Sequence, residues 1–250
     1  MTPSSPLRQT DRVPTTVTWE GIVNARDLAG LPTPSGPVRP SRLIRSGNLS
    51  RLTEQGKAEV RGAGVSRIVD VRCAEERSID PAPFLGEAMY LNVLALPHGN
   101  FKLNEASAAA QTNADHYRAM LKHAAPNLTL ILQQIVDAPP GAVLVHCHIG
   151  KDRTGLVTAL ALFVAGVPDA EIAADYAQTD QHVQPLYAAS LARQTDPAKR
   201  AELARFLVSH PADMLSAIDF LRELGGLDYL TRRGFGPDLQ AALRGRLTRP

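Results

Sequence analysis

The chain has 250 residues, 44% of them hydrophobic and 21% charged, which is ordinary globular usage and excludes a disordered, collagen-like or coiled-coil chain. Its 27 Lys and Arg against 25 Asp and Glu leave a net charge of +2, so no electrostatic case exists for a nucleic-acid partner. Only 5 of the 27 basic residues are Lys, so planar guanidinium forks for anion recognition are plentiful.

In chain order, residues 1–16 read as a disordered tail, because Pro3, Pro6 and Pro14 interrupt a Ser/Thr-rich stretch with no apolar run. The tail is no Sec signal peptide. A single domain is expected over 17–250. Short strand-like pieces fall within Val17–Leu31 and at Leu43-Ile44. Thr53 is placed to cap a helix running to about Ala63. Arg67–Val71 and Met89–Leu96 read as strands, and Asp115–Ala124 and Asn127–Val136 as helices. Pro139-Pro140-Gly141 breaks the chain before Ala142–His146, a short apolar β-branched run expected as a central strand buried on both faces. Leu156–Val167 is the longest apolar stretch and too short to span a bilayer, so it reads as a buried helix. After Asp169 helices are expected, with breaks at Pro185, Pro197, Pro211 and Gly225-Gly226. The pattern predicts an α/β domain with a mostly parallel central sheet flanked by helices and a helical C-terminal part.

The chemistry concentrates between the expected central strand and the buried helix, in His146-Cys147-His148-Ile149-Gly150-Lys151-Asp152-Arg153-Thr154-Gly155. A loop from a strand end into a helix N-terminus turns backbone N–H groups inward, and the helix dipole adds positive potential there. A phosphate in this nest sits over the Cys147 thiol, and the same field favours its thiolate form. Arg153 can grip two phosphate oxygens. Thr154 can donate to the sulfur as it leaves, and His146 can fix the loop. His148, Ile149, Gly150 and Lys151 complete the nest. These parts suit metal-independent hydrolysis of phosphate monoesters through a phosphocysteine, with no cofactor.

The loop resembles the Cys-based phosphatase superfamily and, within it, the atypical bacterial tyrosine phosphatases. Asn24-x-Arg26-Asp27-Leu28-x-Gly30, Arg45–Thr53, Asp70-Val71-Arg72 with Glu75-Glu76, Asp175-Tyr176 and Leu224-Gly225-Gly226 extend the resemblance over roughly 17–247. It implies a protein-tyrosine-phosphatase-like fold and a phosphorylated protein or phosphoinositide as substrate. It also places an acid at Asp152. The upstream position where most of the superfamily carries an Asp reads His98 here, so His98 is the rival for that role. The nearest acids after it are Glu105 and Asp115.

Competing readings of the same residues are weaker. Val145 and Asp152 stand where a nucleotide-binding P-loop needs Gly and Ser or Thr. His146, Cys147 and His148 lack a second pair of ligands with zinc spacing. A phosphate-binding pseudophosphatase is the non-enzyme alternative, yet both Cys147 and Arg153 are present. A sulfurtransferase is the third class, and the Arg153-Thr154-Gly155 ending favours phosphate over it. Asn24, Arg26 and Asp27 read as a staple for the N-terminal segment, and Asp175-Tyr176 as helix packing. Helices over 180–215 are expected to cover the pocket as a lid. Two cysteines without a disulfide framework suit the cytoplasm, the alternative being secretion without a Sec signal. Cys73 follows the 67–71 strand and is expected near Cys147, either as a resolving thiol or as a core filler.

Overall fold

A computed structural model describes residues 14–249. Six strands form one sheet in the order β1-β2-β3-β6-β4-β5. They are β1 (Thr15–Thr16), β2 (Arg26–Asp27), β3 (Leu43–Ser46), β4 (Val65–Asp70), β5 (Tyr90–Asn92) and β6 (Ala142–His146). The four strands β3, β6, β4 and β5 run parallel, while β1 and β2 add antiparallel at the edge. The expected tail over 1–16 lies mostly outside the described residues. Its last two residues form β1.

Period-two alternation sends β6 side chains to two cores. Val143 and Val145 join Leu43 and Val69 beneath most of the helices. Ala142 and Leu144 join Ile44 and Ile68 in a smaller cluster under α1 (Glu54–Gly62). All five β6 residues are buried, as a strand between parallel neighbours requires. The bend that launches β6 needs glycine. Gly141 has φ of 128°, and a Cβ there would lie 2.5 Å from the Gly64 carbonyl oxygen.

On the larger core pack α4 (Asn113–His123), α5 (Ala125–Val136) and α6 (Asp152–Ala165). They are joined there by α7 (Asp169–Ala177), α10 (Pro211–Glu223), α11 (Gly226–Arg232) and α12 (Pro237–Thr248). Eleven of the fourteen α6 residues are buried, which explains the apolar run from Leu156 that only Thr158 interrupts, and Gly166 ends the helix in the left-handed conformation. Thr53 caps α1 by accepting from Gly56 N–H, and Thr112 with Asp115 starts α4 as a capping box.

Three expectations need correction. Two helices went unread: α2 (Ala74–Ile79) and α3 (Phe101–Ala109). The first buries none of its residues and the second only Leu103, so neither carries an apolar period to read. Pro185 does not break the chain but sits inside α8 (Thr179–Arg193). Residue 181, whose carbonyl loses its helical partner there, is exposed to solvent, which softens the loss. The 89–96 strand is shorter than expected, pairing only over β5. Pro197, Pro211 and Pro237 stand at the first turns of α9 (Pro197–Leu207), α10 and α12, where a missing N–H costs nothing. No helix among the described residues is long and apolar enough to cross a membrane.

Candidate active site

Cys147 follows β6 at the carboxyl end of the sheet, and the chain turns through Gly150 into the first turn of α6. Gly150 has φ of +79°, and a Cβ on it would lie 2.5 Å from the Ser46 carbonyl oxygen, so no other residue closes this turn without strain. Four loop carbonyls are tied by protein donors. His146 O accepts from Val71 N–H, and His148 O from Asn48 N–H at 2.8 Å. Ile149 O accepts from the Asn24 amide at 2.9 Å, and Gly150 O from the Arg45 guanidinium at 2.7 Å. Gly150 N–H donates to Cys147 Sγ at 3.3 Å. Among the described residues, the N–H groups of His148, Ile149, Lys151, Asp152 and Arg153 have no protein acceptor. The result is a ring of free donors above a buried sulfur.

The groups that hold this ring come from the far ends of the sequence. Asp175 on α7 accepts from Arg26 Nε at 2.6 Å and from Arg45 Nη1 at 2.5 Å, and all three side chains are buried. Arg26 in turn donates to Asn24 Oδ1 at 2.7 Å. Asn24 and Arg26 therefore do more than staple the N-terminus, and Asp175 does more than pack a helix. Together with Arg45 they set the loop's shape. Only Asp27 keeps the local role, accepting from Ser41 and Ala29 N–H. Burial pulls Arg26 down to about 10, with the Arg45 charge adding to this against the pull of Asp175, and it stays cationic at neutral pH. Burial pushes the Asp175 carboxyl up, but the two guanidiniums outweigh it and hold the group below the ordinary carboxylate range.

Arg153 points back from α6 to Glu76 on α2, Nη1 to Oε2 at 2.5 Å and Nη2 to Oε1 at 2.6 Å. This bidentate pair uses two of five guanidinium donors and leaves the rest for an anion. Burial raises Glu76, yet the bonds to Arg153 dominate and take it down to about 2. Cys73 N–H donates to the same carboxylate at 3.0 Å. Strands β4 and β6 are neighbours, and Cys73 lies two residues beyond Val71, which bonds β6 at His146.

Asp152 opens α6 and keeps about a third of its side chain exposed, at 35%. Lys151 Nζ lies 2.6 Å from Asp152 Oδ1, and Tyr117 donates its hydroxyl to the same oxygen at 2.7 Å. Tyr117 also meets the Tyr176 hydroxyl at 2.6 Å. Desolvation raises the Asp152 carboxyl, but Lys151 and then Tyr117 outweigh it and hold the group below its ordinary value. Lys151 is itself buried, with its Nζ also 6.0 Å from the Tyr176 ring centroid. The Thr154 hydroxyl is buried without a hydrogen-bond partner among the described residues, available to a sulfur leaving group. His146 is fully buried, and desolvation outweighs Asp70 to push it down, leaving a neutral imidazole whose Nδ1 faces the Cys147 carbonyl at 3.2 Å.

His98 is exposed in the turn before α3 and makes no hydrogen bond among the described residues. Glu105 is exposed on α3, and Asp115 is taken up in the α4 cap. Sequence reasoning missed Tyr117, Glu76 as the partner of Arg153, and the role of Arg45. Arg45 and Glu76 stood within the motifs of the family resemblance, while Tyr117 left no signal.

The sequence profile of the tyrosine phosphatase family matches residues 17–249, nearly the whole chain. The protein belongs to that family. Among tyrosine phosphatases, the triple specificity protein phosphatase PtpB of Mycobacterium tuberculosis is 32% identical over 197 residues, covering 67% of this chain and 70% of that one. A putative tyrosine-protein phosphatase of Cupriavidus necator is 29% identical over 239 residues, covering 91% and 86%. A tyrosine-protein phosphatase of Nostoc commune is 30% identical over 144 residues, a match that spans 49% of that relative's length. The α/β architecture with its mostly parallel sheet and helical C-terminal region agrees with the phosphatase fold.

Proposed function

We propose that this tyrosine phosphatase hydrolyses phosphate monoesters without a metal, through a phosphocysteine at Cys147, and that phosphotyrosine in proteins is its first substrate class. The observation that carries this reading is the run of backbone N–H groups after Cys147 that have no protein acceptor among the described residues, while the loop carbonyls are taken by protein donors. Phosphate oxygens accept from that run, and Arg153 adds its free donors. The sulfur attacks phosphorus as the alcohol oxygen leaves. Asp152 gives that oxygen its proton in the first step and takes one from water in the second. Thr154 then donates to the departing thiolate. Cys147→Ser should abolish turnover of an aryl phosphate while phosphate binding persists. Turnover that survives, or that a chelator stops, overturns the mechanism.

Helices α8 and α9 serve as the lid over this pocket. Leu186 and Ala189 of α8 share a cavity with His148 and Ile149, and Phe206 of α9 shares another with His116 and Asp152. The Tyr187 hydroxyl of α8 is buried, and burial together with the charges of Asp152 and Asp180 pushes it up. Both cysteines are free, in keeping with a cytoplasmic site of action.

A further inference from the structure

A cleft of about 300 Å³ opens beside the phosphate loop, on its His148–Ile149 side, between the loop and α8. Its walls mix the apolar side chains of Val23, Ile149, Leu186 and Ala189 with the polar ones of Asn48, His148 and Ser190. Two arginines also line it, Arg51 from the segment after β3 and Arg193 from the end of α8. Among the described residues neither guanidinium pairs with a carboxylate, and the one hydrogen bond of Arg193 is to Ser190 Oγ at 3.5 Å. The acid in the cleft, Asp80, is already engaged. It lies 3.4 Å from His148 Nδ1 and accepts from the Ser50 hydroxyl. The cleft thus presents two cations without carboxylate partners among the described residues, beside the phosphate loop.

We infer that this cleft is a second recognition site, which takes an acidic side chain flanking the phosphotyrosine of a peptide substrate and clamps its carboxylate between Arg51 and Arg193. The inference rests on the phosphatase reading above and deepens it from phosphotyrosine in general to acidic phosphopeptides. Arginine forks match carboxylates bidentately, and the apolar part of the wall suits the aliphatic stem of a Glu or an adjoining apolar residue. Since Arg51 belongs to the sheet domain and Arg193 to α8, an occupied cleft also fastens the lid over the substrate.

The test compares two phosphotyrosine peptides, one flanked by Glu and one by Gln, and reads the ratio of their kcat/KM values. The wild type should prefer the acidic peptide by roughly tenfold, the strength of one charge-assisted bond, with the difference in KM rather than kcat. Arg51→Gln and Arg193→Gln should each collapse the ratio, and Arg193→Glu should turn the preference toward a Lys-flanked peptide. Both arginines are exposed, and turnover of the Gln-flanked peptide reports folding in every variant. An unchanged ratio in both variants overturns the inference. So does an effect seen only with a soluble inositol bisphosphate, which would assign the cleft to a phosphorylated ring. Failure of every protein, wild type included, to turn over the Gln-flanked peptide would instead strike the phosphatase reading.

Discussion

Tyr117 donates its hydroxyl to Asp152 Oδ1 while Lys151 lies against the same oxygen, and both favour the ionised carboxylate. An acid held below its ordinary value is protonated in only a small fraction of molecules at neutral pH. The first chemical step should therefore quicken as pH falls toward the carboxylate range, until phosphate and thiolate protonation intervene. Tyr117→Phe removes one stabilising bond, raises the Asp152 value, and should move the alkaline limb of the single-turnover rate profile to higher pH. A profile that stays in place would show that another group supplies the proton. Asp152→Asn should lower turnover roughly a hundredfold, and His98→Ala should change it little. Steady-state assays with substrates of differing leaving-group pKa separate the two, since only loss of the acid steepens the dependence. Glu76→Gln tests the neighbouring contact. It leaves Arg153 charged but loosely aimed, so kcat/KM for aryl phosphates should fall about tenfold, as loss of one charge-assisted bond predicts, with little change in thermal midpoint.

Elements matter here because side chains distant in sequence meet at one loop. Strand β2 brings Arg26, β3 brings Arg45 and α7 brings Asp175, and their junction fixes two loop carbonyls. Asp175→Asn strands two buried guanidiniums and should destabilise the protein by about 3–5 kcal/mol, measured by denaturant unfolding at neutral pH. The folded-state value of Asp175 is depressed, so its contribution is fully present above the ordinary carboxylate value, about 3.9, and is lost as pH falls through the lower folded value. The gap between wild type and Asp175→Asn should narrow in strongly acidic buffer, and a constant gap would contradict the assignment. At this scale the sequence was legible where burial writes a pattern. Ala142–His146 and the run after Leu156 were readable because strands and helices buried on all sides are apolar throughout. The helices α2 and α3 were not, since exposed helices carry no such stripe; Phe101, the first residue of α3, is 83% exposed. The loop motif made Cys147 and Arg153 the leading candidates from spacing alone. That Asn24, Arg26 and Asp175 serve the same loop was invisible, because contacts 125 and 149 residues apart leave no local spacing to read.

The whole molecule is closed at the side of the sheet opposite the site. Arg246 on α12 donates to the carbonyls of Ala138, Pro139 and Gly141, the turn that launches β6, and Arg39 N–H donates to Leu247 O. Arg246→Ala should cost about 1–3 kcal/mol in urea unfolding with kcat unchanged, since the contact lies at the amino end of the strand whose carboxyl end carries Cys147. A fall in kcat without a fall in stability would mean that the turn communicates with the loop.

The buried junction of Arg26, Arg45 and Asp175 also limits how this protein can change over generations. Two guanidiniums and one carboxylate in a dry interior tolerate no single exchange, since losing the anion leaves two facing cations and losing one cation frees a loop carbonyl or an amide. An apolar replacement would have to arrive at three places at once, together with a new tether for the Ile149 and Gly150 carbonyls. Lineages that keep the phosphate loop should therefore carry Asn24, Arg26, Arg45 and Asp175 as an inherited block, while exposed positions of α9 such as Lys199 and Arg200 drift freely beside them.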